Sequence, residues 1–225
     1  MAGFSRGWVV GAVAGFAAGS AYRFVVRPWH LRWGATEVEV NGPLPGDDLV
    51  PTPKINATHA VTIGAPPEDV WPWIAQMGQG RGGFYSYDWI ENLMGLSIHS
   101  ADRVIPEYQH LERGDTIPLA PGGFGLPVVE VEPRRMLLLH GDTRDGSSPV
   151  PTRPGDYMSA SWLFLLDAAS GGATRLVERF RADYSPTLTN DLFYRALLEP
   201  GSFIMQRKTL LGIKARAESL AVGGA

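Results

Sequence analysis

The sequence predicts an α+β domain in which a curved antiparallel sheet wraps around a long C-terminal helix, with two short helices after the first strand and an N-terminal transmembrane-like helix ahead. Three observations carry that reading. Short runs of alternating apolar residues recur from Ile55 onward, helical spacing appears twice just after the first run, and a long amphipathic stripe closes the chain. At 225 residues, with 44% hydrophobic and 19% charged residues, there is material for one core and an appendage. The boundaries read as an apolar segment over 1–28, a linker over 29–54 and a ligand-binding domain over 55–221.

The N-terminal segment is uncharged and mostly apolar from Gly7 to Tyr22, and the apolar character resumes over Phe24 to Val26 after Arg23. Residues 7–22 reach about 24 Å as a helix, short of a hydrocarbon core of about 30 Å, so a span requires Arg23 to snorkel to the interface. Gly11, Gly15 and Gly19 recur at the small-xxx-small spacing of close helix approach. Basic residues are denser after the segment (Arg23, Arg27, Arg32) than before it (Arg6), which predicts a membrane anchor with the domain facing the cytoplasm. Two other readings stay open. Arg6 followed by Gly19-Ser20-Ala21 fits a cleaved secretory signal, leaving a secreted protein, and the segment also fits a helix packed on the domain. Trp29, His30 and Trp33 suit an interfacial belt.

Ile55, Ala57, Val61 and Ile63 alternate, with His59 on the same face, and predict the first strand. Pro66-Pro67-Glu68-Asp69 then marks a helix start, followed by Val70, Ile74 and Met77 at helical spacing, with Pro72 bending the helix or confining its first turn. Gly78 to Gly83 breaks that helix, and Tyr87 to Leu93 gives a second one ended by Gly95. Strand-like runs follow at Thr116 to Leu119, Val128 to Val131, Met136 to Leu139, Ala160 to Leu166 and Arg175 to Arg181, the last two joined by a Gly171-Gly172 turn. Phe203, Leu210, Ile213, Ala217 and Leu220 form the closing stripe. Pro200-Gly201-Ser202 reads as the start of its helix, separating it from a helical stretch around Leu192 to Leu198.

Three stretches carry a family resemblance: Trp29-His30-Leu31-Arg32-Trp33-Gly34, Ala65-Pro66-Pro67-Glu68-Asp69-Val70-Trp71-Pro72-Trp73, and Gly78 through Asp88. They resemble membrane-anchored bacterial proteins of the SRPBCC superfamily, which includes START, Bet v 1 and polyketide cyclase domains. The resemblance covers most of the chain and implies the helix-grip fold. It also implies binding or transport of a hydrophobic small molecule, lipid or polyketide-like, in an internal cavity. An enzyme resembling polyketide cyclases or dehydratases is one alternative, and a membrane-bound interaction or regulatory module with no ligand, its cavity filled by its own aromatics, is another. The superfamily hosts carriers, receptors, cyclases and oxygenase subunits, so fold does not settle activity.

The space between such a sheet and helix is expected to be lined by aromatic side chains with a few polar groups. Arg81, Phe84, Tyr85, Tyr87, Asp88, Trp162, Phe180 and Phe203 are the ligand-binding candidates, and Gly80 to Asp102 is the densest polar stretch. Arg81 reads first as an internal partner for Asp88 or Glu91, with a ligand carboxylate or phosphate as the alternative. Candidates for proton transfer are His99 with Asp102, three residues apart, where Asp102-Arg103 also reads as a plain turn, and Glu178, which alternation sets opposite Arg179 and Arg181 and beside Leu176 and Phe180, on either the cavity face or a solvated one. Several classes drop out. The absence of Cys removes disulfides, thiolate metal sites and a cysteine nucleophile. A net charge of -3 offers nucleic acid no general attraction. His59, His99, His110 and His140 show no metal-ligand spacing, and no phosphate loop or dinucleotide fingerprint is present, so no metal or cofactor is expected. Oligomeric state is left open.

Overall fold

The computed structural model describes residues 19–148 and 152–223. Six strands form one antiparallel sheet: β1 (Ile55–Ile63), β2 (Thr116–Pro118), β3 (Gly125–Glu132), β4 (Met136–Asp142), β5 (Met158–Ala168) and β6 (Thr174–Tyr184). Their order is β1-β6-β5-β4-β3-β2. Every strand run read from alternation falls on one of them. The β5–β6 hairpin pairs without a slip from Met158 opposite Tyr184 to Ala168 opposite Thr174. Its turn puts Gly171 and Gly172 at φ 72° and 75°, a region that glycine enters at no steric cost.

The sheet separates two cores. Register sets Ala57, His59 and Val61 of β1 beside Phe180, Glu178 and Leu176 of β6, and these beside Trp162, Phe164 and Leu166 of β5. This face is covered by α3 (Pro67–Ala75) and by the C-terminal helix. The alternate residues, among them Ala60, Val177, Leu163 and Leu165, point to the opposite face, where Ala35, Leu44 and Leu49 cover them. Residues 35–50, part of the stretch read as a linker, therefore lie along the back of the sheet. They include α2 (Glu37–Asn41), opened by a capping box between Thr36 and Glu39. Both sides of β1 are thus buried, which is why it shows less polar alternation than a half-solvated strand.

Arginines on the back face of β6 hold this cover in place. Arg179 is buried and donates to Thr58 Oγ1, to Asp47 Oδ2 at 2.7 Å, and to the carbonyls of Glu39, Val40 and Gly42. Those carbonyls end α2, where no intrahelical donor remains. Arg175 pairs with Glu39, and Arg181 with Asp47 and the Val50 carbonyl. The free edge of β1 is also occupied. Thr58 and Ala60 donate their backbone N–H groups to the carbonyls of Leu31 and Trp33, just past α1 (Arg27–His30).

After β1, Pro67 sits in the first turn of α3 with Glu68 and Asp69, as the sequence predicts, and the helix runs through Pro72 to Ala75. The second short helix is α4 (Asp88–Leu93). At the C-terminus the structure corrects the expected helix start. α5 (Leu188–Leu192), a π-helical turn (Phe193–Leu198) and α6 (Glu199–Gly223) run on without a break through Pro200-Gly201-Ser202. Pro200 cannot donate to the carbonyl of residue 196 and its ring crowds that turn, and the widened π turn lies just where this would interrupt an α-helix. Of the closing stripe, Leu210, Ile213 and Ala217 are fully buried, whereas Leu220 is 38% exposed, so the helix leaves the core in its last turns. Gly212 lets the helix approach the Tyr85 loop: a Cβ there would lie 2.3 Å from the Tyr85 carbonyl oxygen.

The expected span Gly7 to Tyr22 lies outside the described residues except for its last four. Among the described residues no helix is long and apolar enough to cross a membrane. Of the three residues of the expected interfacial belt, two turn inward. His30 turns inward and is buried, Trp33 packs against the core under Arg207, and Trp29 is exposed.

Candidate functional site: a buried histidine–carboxylate network under the C-terminal helix

Strand alternation that puts Glu178 among Leu176 and Phe180 aims its carboxylate at the helix-covered face, where it is 1% exposed. Two groups hold it. The Trp162 indole N–H donates to Oε1 at 2.6 Å, and His59 Nδ1 lies 3.2 Å from Oε2. The other ring nitrogen of His59 is 2.8 Å from the backbone carbonyl of His30. A carbonyl only accepts, so Nε2 carries a proton and donates it. Nδ1 and the carboxylate then face each other at 3.2 Å on an apolar face, and a hydrogen bond between them needs a proton on one of the two.

A second cluster adjoins it. Arg27 grips Glu199 through both carboxylate oxygens, at 2.9 and 2.7 Å. His30 Nε2 lies 3.5 Å from the same carboxylate and 3.4 Å from the Tyr22 hydroxyl, while its Nδ1 is buried without a partner. A nearby carboxylate ordinarily favours imidazolium. Here burial dominates, with Arg27 and the facing His59 adding to it, and His30 is pushed down to about 4. Arg27 already neutralises Glu199, so little attraction is left to offset the loss of water.

The Phe203 ring stands between the two clusters, 5.4 Å from the His30 ring and 5.5 Å from the His59 ring. Below it is a cavity of about 10 Å³ lined by Ile55, Ala57, His59, Phe180 and Glu199, among others. That is room for about one water. The apolar space expected between sheet and helix is filled by the protein's own side chains, among them Trp73, Phe84, Tyr85 and Phe164. Phe84 and Phe164 flank Trp162 at 6.3 and 4.9 Å between ring centroids.

The structure brings Trp162, Glu178, Phe180 and Phe203 together, with Phe84 beside Trp162, and places the others elsewhere. Arg81 pairs with neither Asp88 nor Glu91. It donates to the Ala75 and Tyr108 carbonyls and covers the Tyr108 ring, closing the end of α3. Asp88 accepts from the backbone and hydroxyl of Ser100 and fixes the loop. Tyr85 is buried and donates to the Trp73 carbonyl, and Tyr87 lies under Lys208. His99 and Asp102 are both exposed and make no contact with each other, so that acid–base pairing is not formed. Sequence reasoning missed His30, Arg27 and Glu199. Their signal was a cluster of charge and imidazole in stretches otherwise read as membrane belt and helix start. Among the described residues no group of three or more His, Asp or Glu is placed to hold a metal ion.

No family model matches the chain, and no curated protein does. Solved structures that resemble it include DynU16, a putative protein in the dynemicin biosynthetic locus (14% identity, TM-score 0.38, covering 71% of this chain and 47% of that one). The chain thus spans about half the length of DynU16. The hypothetical protein jhp0584 from Helicobacter pylori follows at 12% identity and TM-score 0.45 (78% and 95% covered), and CalU16 from Micromonospora echinospora at 16% and 0.33 (74% and 86%). Likeness at this level carries no argument about activity. The helix-grip architecture rests on the strand order and on the helix laid across the sheet.

Proposed function

We propose that this domain binds one apolar small molecule, lipid or polyketide-like, in the grip between the sheet and α6, at the cytoplasmic face of the membrane that holds the N-terminal segment. The observation that carries the reading is Glu178, a carboxylate buried on an aromatic and aliphatic face, where it orients a ligand's polar end while the rings contact its body. An apolar side chain of similar volume is often no less stable than a buried charged pair, so stability alone does not account for Glu178 at this position. The cavity of about 10 Å³ is the closed state, and Phe203 must swing aside to admit a ligand. The π turn before α6 gives the chain a place to flex. The membrane placement rests on the apolar run Gly7 to Tyr22 and the basic residues after it.

Native mass spectrometry of full-length protein extracted in detergent tests this. Wild type is expected to carry an apolar adduct, Phe203→Ala to retain it, and Phe203→Trp, which fills the cavity, to lose it. Empty wild-type and Phe203→Ala protein would overturn the reading. The contact of the buried Glu178 carboxylate with His59 favours a second one, an enzyme like the polyketide cyclases that moves a proton in the same grip. It requires Glu178→Gln to abolish turnover of a poly-β-ketone substrate while adduct binding survives. Unchanged turnover sinks it.

A further inference from the structure

Large apolar side chains are exposed on two helical stretches that pack together at one end of the molecule. Residues 19–30 expose Phe24 (71%), Val25 (66%) and Trp29 (55%), and residues 188–204 expose Leu188 (86%), Leu192 (67%), Leu197 (65%) and Ile204 (51%). The two stretches are joined by the Arg27–Glu199 ion pair and by the edge-on contact of Trp29 with Phe203. Scattered apolar residues on a surface are ordinary, but a concentration on one pair of helices marks a contact surface.

We propose that this end lies in the surface of a lipid bilayer with anionic headgroups. Two observations fix the occupant. First, residues 19–30 continue directly from the uncharged run that begins at Gly7, so the apolar face is an extension of the most apolar part of the chain. Second, the charge is right for anionic lipid. The whole chain carries -3, yet the two stretches, with Arg207 and Lys208 just beyond, hold five Arg and Lys against two acids. Both acids are engaged, Asp191 by Arg195 and Glu199 by Arg27. Arg23, Arg207 and Lys208 rest on the rings of Phe24, Trp33 and Tyr87 and pair with no acid. Basic side chains bordering an apolar face are how an interfacial helix meets such a membrane.

The placement also deepens the ligand reading, on which this part rests. Leu198, Glu199, Ser202, Phe203 and Gln206 line the cavity from the same helical stretch that exposes Leu192, Leu197 and Ile204. One helix thus separates the grip from the surface assigned to lipid. A ligand dissolved in the bilayer then enters past that helix without crossing water.

The chain has no cysteine, so single cysteines place a fluorophore without interference. Full-length Leu197→Cys, Phe193→Cys and Ser170→Cys proteins, labelled with a nitrobenzoxadiazole dye, are reconstituted into phosphatidylcholine–phosphatidylglycerol vesicles carrying acyl-chain nitroxides. Ser170 lies at the turn before β6, the far end of that strand from residue 188. Blue-shifted emission and several-fold stronger quenching are expected at 193 and 197 than at 170. Equal, water-like emission at all three in protein that floats with the vesicles overturns the proposal, as does protein that fails to float. The ligand reading is read separately by mass spectrometry: lipid docking with empty protein sinks only that reading, and adducts without quenching sink only this one.

Discussion

At the scale of single residues, His30 is the group whose environment most opposes its charge. Its pKa is about 4 in the fold against 6.5 when free, so the unfolded chain binds the proton more readily. Stability is therefore untouched above about pH 6.5, falls as pH drops from there to about 4, and is lower by about 3 kcal/mol below that. The window is distinctive. Glu39, lowered to about 2 by its hydrogen bond to Arg175, loses its contribution only as pH falls from about 4.5 toward 2, below the His30 window. Urea unfolding across pH 7 to about 4 should show a steep loss for wild type and a flat profile for His30→Asn, and matching slopes would refute this. Alternation grouped Glu178 with Leu176 and Phe180, but which side of the sheet that group faces was decided only by the helix laid over it. His30 was not legible, because its burial depends on α6 arriving from 170 residues away, and nothing near Trp29 signals that arrival.

At the scale of elements, the back-face clamp shows where sequence reading runs out. Residues 42–53 are rich in proline and glycine and read as linker composition, yet α2 and the turns after it are fixed by one guanidinium that fills its donors on strand-distant carbonyls. Arg179→Met is expected to cost about 3 kcal/mol in urea unfolding, since it strands buried acceptors and leaves Asp47 with Arg181 alone. Arg32→Met, which breaks the exposed Arg32–Glu37 pair, should cost less than about 1 kcal/mol. Comparable losses in the two variants would show that the clamp is ornamental. The C-terminal helix failed in a different way. Pro200-Gly201-Ser202 has the local chemistry of a start, but packing of residues 188–198 on the far end of β6 and on the N-terminal stretch outweighs local preference, with the π turn absorbing the misfit.

At the scale of the whole molecule, the order of strands, the two short helices and the closing helix could all be read from periodicity, because each buries one face against a common sheet. The pocket could not. Sequence aromatics describe the lining of a cavity and the filling of a core equally well, and only the positions of Phe203, Phe84 and Phe164 decide that this grip is closed. Net charge was similarly uninformative, since -3 overall conceals a basic end.

The backbone bonds from Thr58 to Leu31 and from Ala60 to Trp33 have a colloidal consequence. An edge strand with free N–H and C=O groups is a template on which a second chain can crystallise into fibrils. Here the segment that leads in from the apolar N-terminus lies along that edge as a selvedge. The opposite edge, β2, is three residues long and ends at Pro118, which has no N–H to offer. Among the described residues two copies crowded side by side therefore find no open strand to extend, and a sequence this apolar keeps its sheet to itself.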